Sequence, residues 1–244
     1  MPTLTGWDIA LVAAVTTQAT VMAYLYQPRW KAFVFMLPIP FTFASLAVAR
    51  PIDSSNPAGL LLLLAFVLAV RFLHVSLRVP IIVSIAVCAA GYCVLGGLLR
   101  PAMPAGSVGF WAMLAAVAAV AVAAYALMPP RDEQGHRTSL PVWIKLPVMA
   151  GVILSLIAIK SILAGFLTMF PMMATVTCYE ARKSLWTVCR QVPLIMLMFV
   201  PMIATVYLLQ DRLGFHKALA ASWIVYLACL VPYWRFAGPG KVGP

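Results

Sequence analysis

The chain reads as an all-α polytopic membrane protein of about nine transmembrane helices, arranged as two inverted four-helix repeats joined by a linker helix. Three observations predict this. The composition is 64% hydrophobic and only 9% charged, with a mean hydropathy of +1.00, whereas soluble domains carry about 25% charged residues. The apolar runs have the length of about 20 residues that a bilayer demands of a spanning helix. Finally, residues 29–47 (RWKAFVFMLPIPFTFASLA) and 160–178 (KSILAGFLTMFPMMATVTC) match in plan. Each starts at a basic residue, runs apolar, breaks at proline (Pro38 and Pro40; Pro171) and steps to a small residue, Ala44 or Ala174. Five crossings run from the start of the first copy to the start of the second, so the two lie inverted in the membrane, as in many transporters.

Taken in order, the first span covers 7–26. No Lys or Arg precedes its apolar run, so the pattern is that of a retained span and not of a cleaved leader with its basic n-region. The second span, 31–49, follows the polar break Gln27-Pro28-Arg29. The third, 56–75, follows the break that begins Arg50-Pro51 and ends Asn56-Pro57. Arg78 and Arg100-Pro101 bracket the fourth, 79–99. The fifth, 108–128, is almost pure alanine and valine, with no mid-span proline, charge or amide. Nothing in the second half answers to it, which suits a helix that carries the chain back between inverted copies. After it comes the most hydrophilic segment, Pro129 to Arg137. The remaining spans are 141–159, 161–178, 187–209 and 217–234, and the junction at 159–161 reads equally as one long bent helix. The domains are thus 1–104, a first membrane repeat; 105–137, linker helix and cytoplasmic loop; and 138–244, a second membrane repeat.

Charge sets the expected orientation. Of the 17 Lys and Arg, the nine-span scheme puts Arg29, Lys31, Arg71, Arg78, Arg131, Arg137, Lys145, Arg182, Lys183, Arg190, Arg235 and Lys241 on one side. Arg50, Arg100, Lys160, Arg212 and Lys217 fall on the other. Positive loops stay in the cytoplasm, so the N-terminus is expected outside and the C-terminus inside. The net charge of +11 belongs to these loops. The basic residues are scattered, without a basic aromatic face, and no nucleic-acid partner is expected.

The candidate functional residues follow from what lipid will not tolerate. Pro38, Pro40, Pro171, Pro193 and Pro201 interrupt apolar spans, and each removes a backbone donor and frees a carbonyl. Prolines at corresponding points of two halves point to a substrate path; the plain alternative is a packing kink. Arg71, His74 and Arg78 share one helix face, and Arg190 and Gln191 lie in the first turns of a later span. Two guanidiniums could grip an anion bidentately, or simply snorkel to the interface. Gln18, with Thr16, Thr17 and Thr20, makes a polar patch midway along the first span. It reads as a pore lining or as interhelical hydrogen bonding.

Other chemistry finds no support. The six acidic residues, Asp8, Asp53, Asp132, Glu133, Glu180 and Asp211, all fall in loops or at span ends, whereas cation-coupled carriers usually keep a carboxylate at depth. The five cysteines sit in or beside apolar runs with no CxxC. The methionines of the second half (Met169, Met172, Met173, Met196, Met198, Met202) suit flexible packing better than a copper path. His74, His136 and His216 have no carboxylate at helical spacing. No enzyme, metal or cofactor is expected.

The run Pro38-Ile-Pro-Phe-Thr-Phe-Ala44 resembles a segment of the GlpM-like family of small bacterial inner-membrane proteins, and residues 142–234 follow that family further. Lys160, Ala164-Gly165, Phe170-Pro171-Met-Met-Ala174, Arg182, Pro193 and Trp234 carry the likeness. The chain departs from it in Met172-Met173 and in being duplicated. The resemblance implies a bacterial inner-membrane protein and names no reaction. The expected function is therefore transport or channel passage of a small anionic or neutral solute at the repeat interface. The alternative is a non-transporting subunit or scaffold for envelope-lipid or polysaccharide export. The expected partners are the lipid bilayer, the solute, and a second copy or another membrane protein.

Overall fold

A computed structural model describes residues 5–25, 34–131, 133, 147, 151, 163 and 165–236. It is 84% helical, with no strand among the described residues. Helix α1 (Gly6–Tyr24) opens on a capping box. The Thr5 amide donates to Asp8 Oδ2 at 2.8 Å and the Asp8 amide donates back to Thr5 Oγ1 at 3.3 Å, so two orphan donors are satisfied reciprocally. A single helical turn at 34–36 leads through Leu37-Pro38 into α2 (Ile39–Val48). Helix α3 (Ser55–Arg71) starts on a local network, with Asp53 Oδ1 accepting from the Ser55 amide at 2.8 Å and Asn56 Oδ1 accepting from the Asp53 amide at 2.9 Å. It ends in a π-helical turn, Phe72–Ser76.

Helix α4 (Ile81–Leu99) continues into a 3₁₀ turn, Arg100–Ala102. Helix α5 (Gly106–Leu127) buries one stripe, Phe110, Leu114, Val117 and Ala121, and leaves its other faces bare. The exposed apolar side chains of this helix, among them Val108, Val122 and Leu127, fit a lipid solvent, since water would favour polar residues there. Then come α6 (Gly165–Thr168), α7 (Met172–Glu180), α8 (Leu185–Leu213) and α9 (Phe215–Phe236). Helix α8 runs unbroken for 29 residues with Pro193 and Pro201 inside it. Gly214, at φ 80°, makes the tight turn into α9 in a region that favours glycine.

Four helical segments, Ser55–Ser76, Ile81–Ala102, Gly106–Leu127 and Leu185–Leu213, are long and apolar enough to cross a membrane. They coincide with the spans read at 56–75, 79–99, 108–128 and 187–209. Val34–Val48 and Phe215–Val231 are shorter apolar helices. The span read at 141–159 and the 159–161 junction lie outside the described residues.

Contacts at the two ends of the bundle order the helices. At one end Gln210 exchanges hydrogen bonds with the backbone of Ile52, at 2.8 and 3.2 Å, and Ser54 Oγ donates to Pro104 O at 2.7 Å. At the other end Trp186 Nε1 donates to Pro129 O at 2.8 Å, and Glu133 accepts from the amides of Trp186 and Thr187. Helix α2 therefore ends at the Ile52 end and α7 ends at the Trp186 end, so the two proline-headed helices run in opposite directions. The core lies between α3, α8 and these segments, where Phe41, Phe166, Met36, Met196, Met202 and Tyr226 are fully buried. Phe110 of α5 stacks on Tyr207 of α8 at 3.6 Å, fastening these two helices together.

Candidate functional site

Proline writes both breaks locally. Pro38 (φ −79°, ψ 32°) heads α2 and Pro171 (φ −73°, ψ 47°) heads α7, in nearly the same conformation. Pro40 sits in the first turn of α2, where the missing N–H has no helical acceptor to lose. Just beyond each break a threonine amide bonds back to the proline carbonyl: Thr42 to Pro38 O at 3.0 Å and Thr175 to Pro171 O at 2.8 Å. The same sequence separation relates Pro38 to Pro171 and Thr42 to Thr175.

Upstream of each proline the carbonyls need partners from elsewhere, because hydrocarbon supplies none. At the first break, Gln18 Nε2 donates to Val34 O at 2.7 Å and to Leu37 O at 3.3 Å. Tyr226 of α9 donates its hydroxyl to Met36 O. Trp223 Nε1 donates to Thr42 Oγ1 at 2.8 Å, and Thr42 Oγ1 donates on to Pro38 O at 2.8 Å. At the second break, Tyr92 of α4 donates its hydroxyl to Phe166 O at 2.9 Å. Asn56 Nδ2 donates to Thr168 Oγ1 at 2.9 Å, which donates on to Gly165 O at 2.7 Å. The pattern is crossed: Tyr92 of α4 sends its hydroxyl to the second break and Tyr226 of α9 sends its hydroxyl to the first. One residue more than the Pro38–Pro171 separation relates Tyr92 to Tyr226.

Close backbone approach holds the second break in place. A Cβ on Gly59 would fall 2.7 Å from Met169 Cβ, and one on Gly165 would fall 2.0 Å from Ser55 Oγ. At Gly59 the contact is with a Cβ that moves only with its backbone, so glycine there lets the segment after α6 lie against α3, while at Gly165 a side chain would have to displace those of Ser55 and Asn56.

The two breaks face each other across a cavity of about 60 Å³. Phe35, Pro40 and Phe41 line it from the first segment, and Thr168, Phe170 and Pro171 from the second. Phe199 and Ile195 of α8 and Leu60 and Leu63 of α3 complete the walls. The space holds a few waters at most, and the lining is aromatic and aliphatic save for Thr168.

The sequence-derived candidates divide between this cavity and other places. Pro38, Pro40 and Pro171 belong to the facing breaks. Pro193 is buried within α8, beyond the cavity wall. Gln18 reaches the first break, whereas its neighbours Thr16, Thr17 and Thr20 turn the other way. With Val12 and Pro147 they line an open groove of about 560 Å³. Arg71, Arg190 and Gln191 lie at the Trp186 end and line no part of the cavity. Arg71 stacks over Trp186 at 4.8 Å. Arg190 donates to Met128 O at 2.9 Å and lies over Tyr125 at 4.9 Å. Sequence reasoning missed Tyr92, Tyr226, Asn56 and Trp223. The available signal was a polar tip inside an apolar span, which must find a partner once buried.

These features define a helical membrane protein in which two oppositely directed, proline-broken helices meet at one cavity. No protein-family model, curated protein or solved structure matches the chain.

Proposed function

We propose that the chain is a transporter or channel for a small solute, with its path at the facing breaks. One observation carries this: Pro38 and Pro171 head antiparallel helices whose breaks share a cavity, the arrangement that inverted-repeat transporters place at the bilayer midplane. The reading takes the full fold as nine spans, with 1–104 and 138–244 as inverted repeats. Supporting that duplication, Arg78-Val79-Pro80 before α4 answers to Arg212-Leu213-Gly214 before α9 at the Tyr92–Tyr226 separation. We place the protein in a bacterial inner membrane, as a duplicated relative of the GlpM-like proteins, N-terminus outside and C-terminus inside. The basic Trp186 end would then face the cytoplasm.

Of the two solute classes, neutral fits better than anionic, because the cavity lining contains no cation. At about 60 Å³ the cavity is a closed state, and Phe170 and Phe199 are the side chains whose movement would open it. The reading assigns no catalytic step. The test is flux through reconstituted vesicles, using a size-graded set of small neutral solutes and small anions. Phe170→Ala should raise neutral flux severalfold, and Pro171→Leu should lower it by allowing α6 and α7 to join. If the wild type and Phe170→Ala both leave vesicles as tight as protein-free ones, transport is excluded.

A second reading has its own support: the break carbonyls at Val34, Met36, Leu37 and Phe166 are all occupied by side chains. A scaffold for an envelope-export complex would need such breaks for shape alone. Co-purification of a fixed membrane partner, together with tight vesicles, would favour it.

A further inference from the structure

We infer that the Trp186 end carries a binding site for the phosphate ester of an anionic phospholipid headgroup, formed by Arg71, Arg131 and Arg190 around two aromatic rings. Three separate segments bring these guanidiniums together. Arg71 closes α3 where it passes into the π-helical turn, Arg131 follows α5, and Arg190 lies one turn beyond Trp186 in α8. The Arg71 and Arg131 guanidinium carbons both lie over the Trp186 ring, at 4.8 and 4.3 Å, and that of Arg190 over Tyr125 at 4.9 Å. The attraction of a cation to a ring face uses none of its N–H donors.

The donor count decides what those groups can do. A guanidinium has five N–H donors. Arg71 and Arg131 make no hydrogen bond or ion pair with any described residue, and Arg190 spends donors only on Met128 O and, at 3.4 Å, on Tyr125 Oη. The one described carboxylate touching this cluster is Glu133, and both its oxygens are committed elsewhere. Oε1 accepts from the Trp186 amide at 3.2 Å, while Oε2 accepts from the Thr187 amide and hydroxyl at 2.7 and 2.8 Å, capping α8. Asp132 lies outside the described residues. The result is a cationic patch, with Arg71 and Arg190 half-buried and Arg131 exposed, in which three guanidiniums face one described carboxylate and keep spare donors.

Placement selects the source of the anion. Trp186 and Tyr125 lie at helix ends, where amphipathic rings meet the headgroup layer. Basic pockets between helices at that level suit anionic headgroups, and bidentate guanidinium geometry suits phosphate. This site does not rest on the transport reading, since it shares no residue with the cavity.

The test is native mass spectrometry of the full chain extracted from nanodiscs of phosphatidylcholine with or without phosphatidylglycerol. The wild type should keep phosphatidylglycerol in preference to phosphatidylcholine. Arg71→Gln and Arg131→Gln should each weaken retention about fivefold, and the double variant by more. Arg71→Lys should fall between, because charge survives while stacking and the planar fork do not. Should the variants fold poorly, competition between the two lipids on the wild type decides alone. Equal retention of both lipids, unchanged retention in a folded double variant, or displacement of phosphatidylglycerol by soluble inorganic phosphate would each overturn the headgroup site.

Discussion

The first and second helix breaks solve one problem with different side chains. Both must satisfy carbonyls that proline releases inside the bilayer. The first break relies on α1, whose Gln18 amide serves two carbonyls at once, and on Tyr226 and Trp223 from α9. The second relies on Tyr92, on the Asn56–Thr168 relay and on glycines that let α3 approach. At the Pro38–Pro171 separation, Gln18 answers to Gly151, which has no side chain to donate. The crossed tyrosines and a relay through a threonine hydroxyl, fed by Trp223 in one case and by Asn56 in the other, are common to both. The difference teaches that the backbone break is the shared requirement, and that each break has its own polar plug.

The sharpest way to break this comparison is Gln18→Leu. It strips Leu37 O of its side-chain donor and leaves Val34 O only the Leu37 amide, at 3.3 Å, so it should destabilise the protein by about 1–3 kcal/mol, seen as a lower thermal midpoint in detergent. No change in midpoint would mean that water or lipid glycerol serves the first break. Next in size is Gly59→Ala, expected to cost about 1–3 kcal/mol, because Met169 Cβ can move only with its backbone. The same substitution at Gly91, which meets nothing within 4 Å, should be close to neutral and serves as its control. A Gly59→Ala protein as stable as the Gly91 control would remove close approach from the second break.

The tyrosines sharpen the comparison further. Tyr226→Phe should cost about 1 kcal/mol, within the range for interhelical bonds in membranes. Tyr92→Phe should cost less, because Phe166 O keeps a bond from the Met169 amide at 3.2 Å. Equal losses in paired unfolding measurements would show that this local bond is immaterial. The smallest effect is expected of Thr175→Ala. Its hydroxyl bonds only to Met172 O within its own helix, at 2.7 Å, so a few tenths of a kcal/mol is the expected loss. Thr42→Ala, which also abandons Trp223, should exceed it.

Legibility in the sequence followed locality. The four helices long enough to span coincide with runs read from hydropathy, and both breaks fall where proline was read to interrupt a helix. The polar patch on α1 was legible as a patch but not as two faces. Only packing shows Gln18 turned inward to Leu37 while Thr17 faces a groove. The arginines were legible as costly, yet their aromatic seats were not. Trp186 and Tyr125 lie in different segments, and nothing in either stretch marks it as the other's neighbour.

By itself, then, the sequence determined the helical membrane class and the prolines at which a helix could fail: Pro38 and Pro171 head breaks, whereas Pro193 and Pro201 sit inside the unbroken α8. Hydropathy and the missing proline N–H act on the residue that carries them, but whether the helix then breaks or continues depends on its neighbours. Tertiary structure alone decided that the two breaks share a cavity and which groups close them. The Tyr226–Met36 bond joins residues 190 apart and the Tyr92–Phe166 bond joins residues 74 apart. In spans so uniformly apolar, every helix face is an acceptable neighbour by hydrophobicity. The choice among them falls to a few polar tips and glycine contacts, which exist only once the helices are packed.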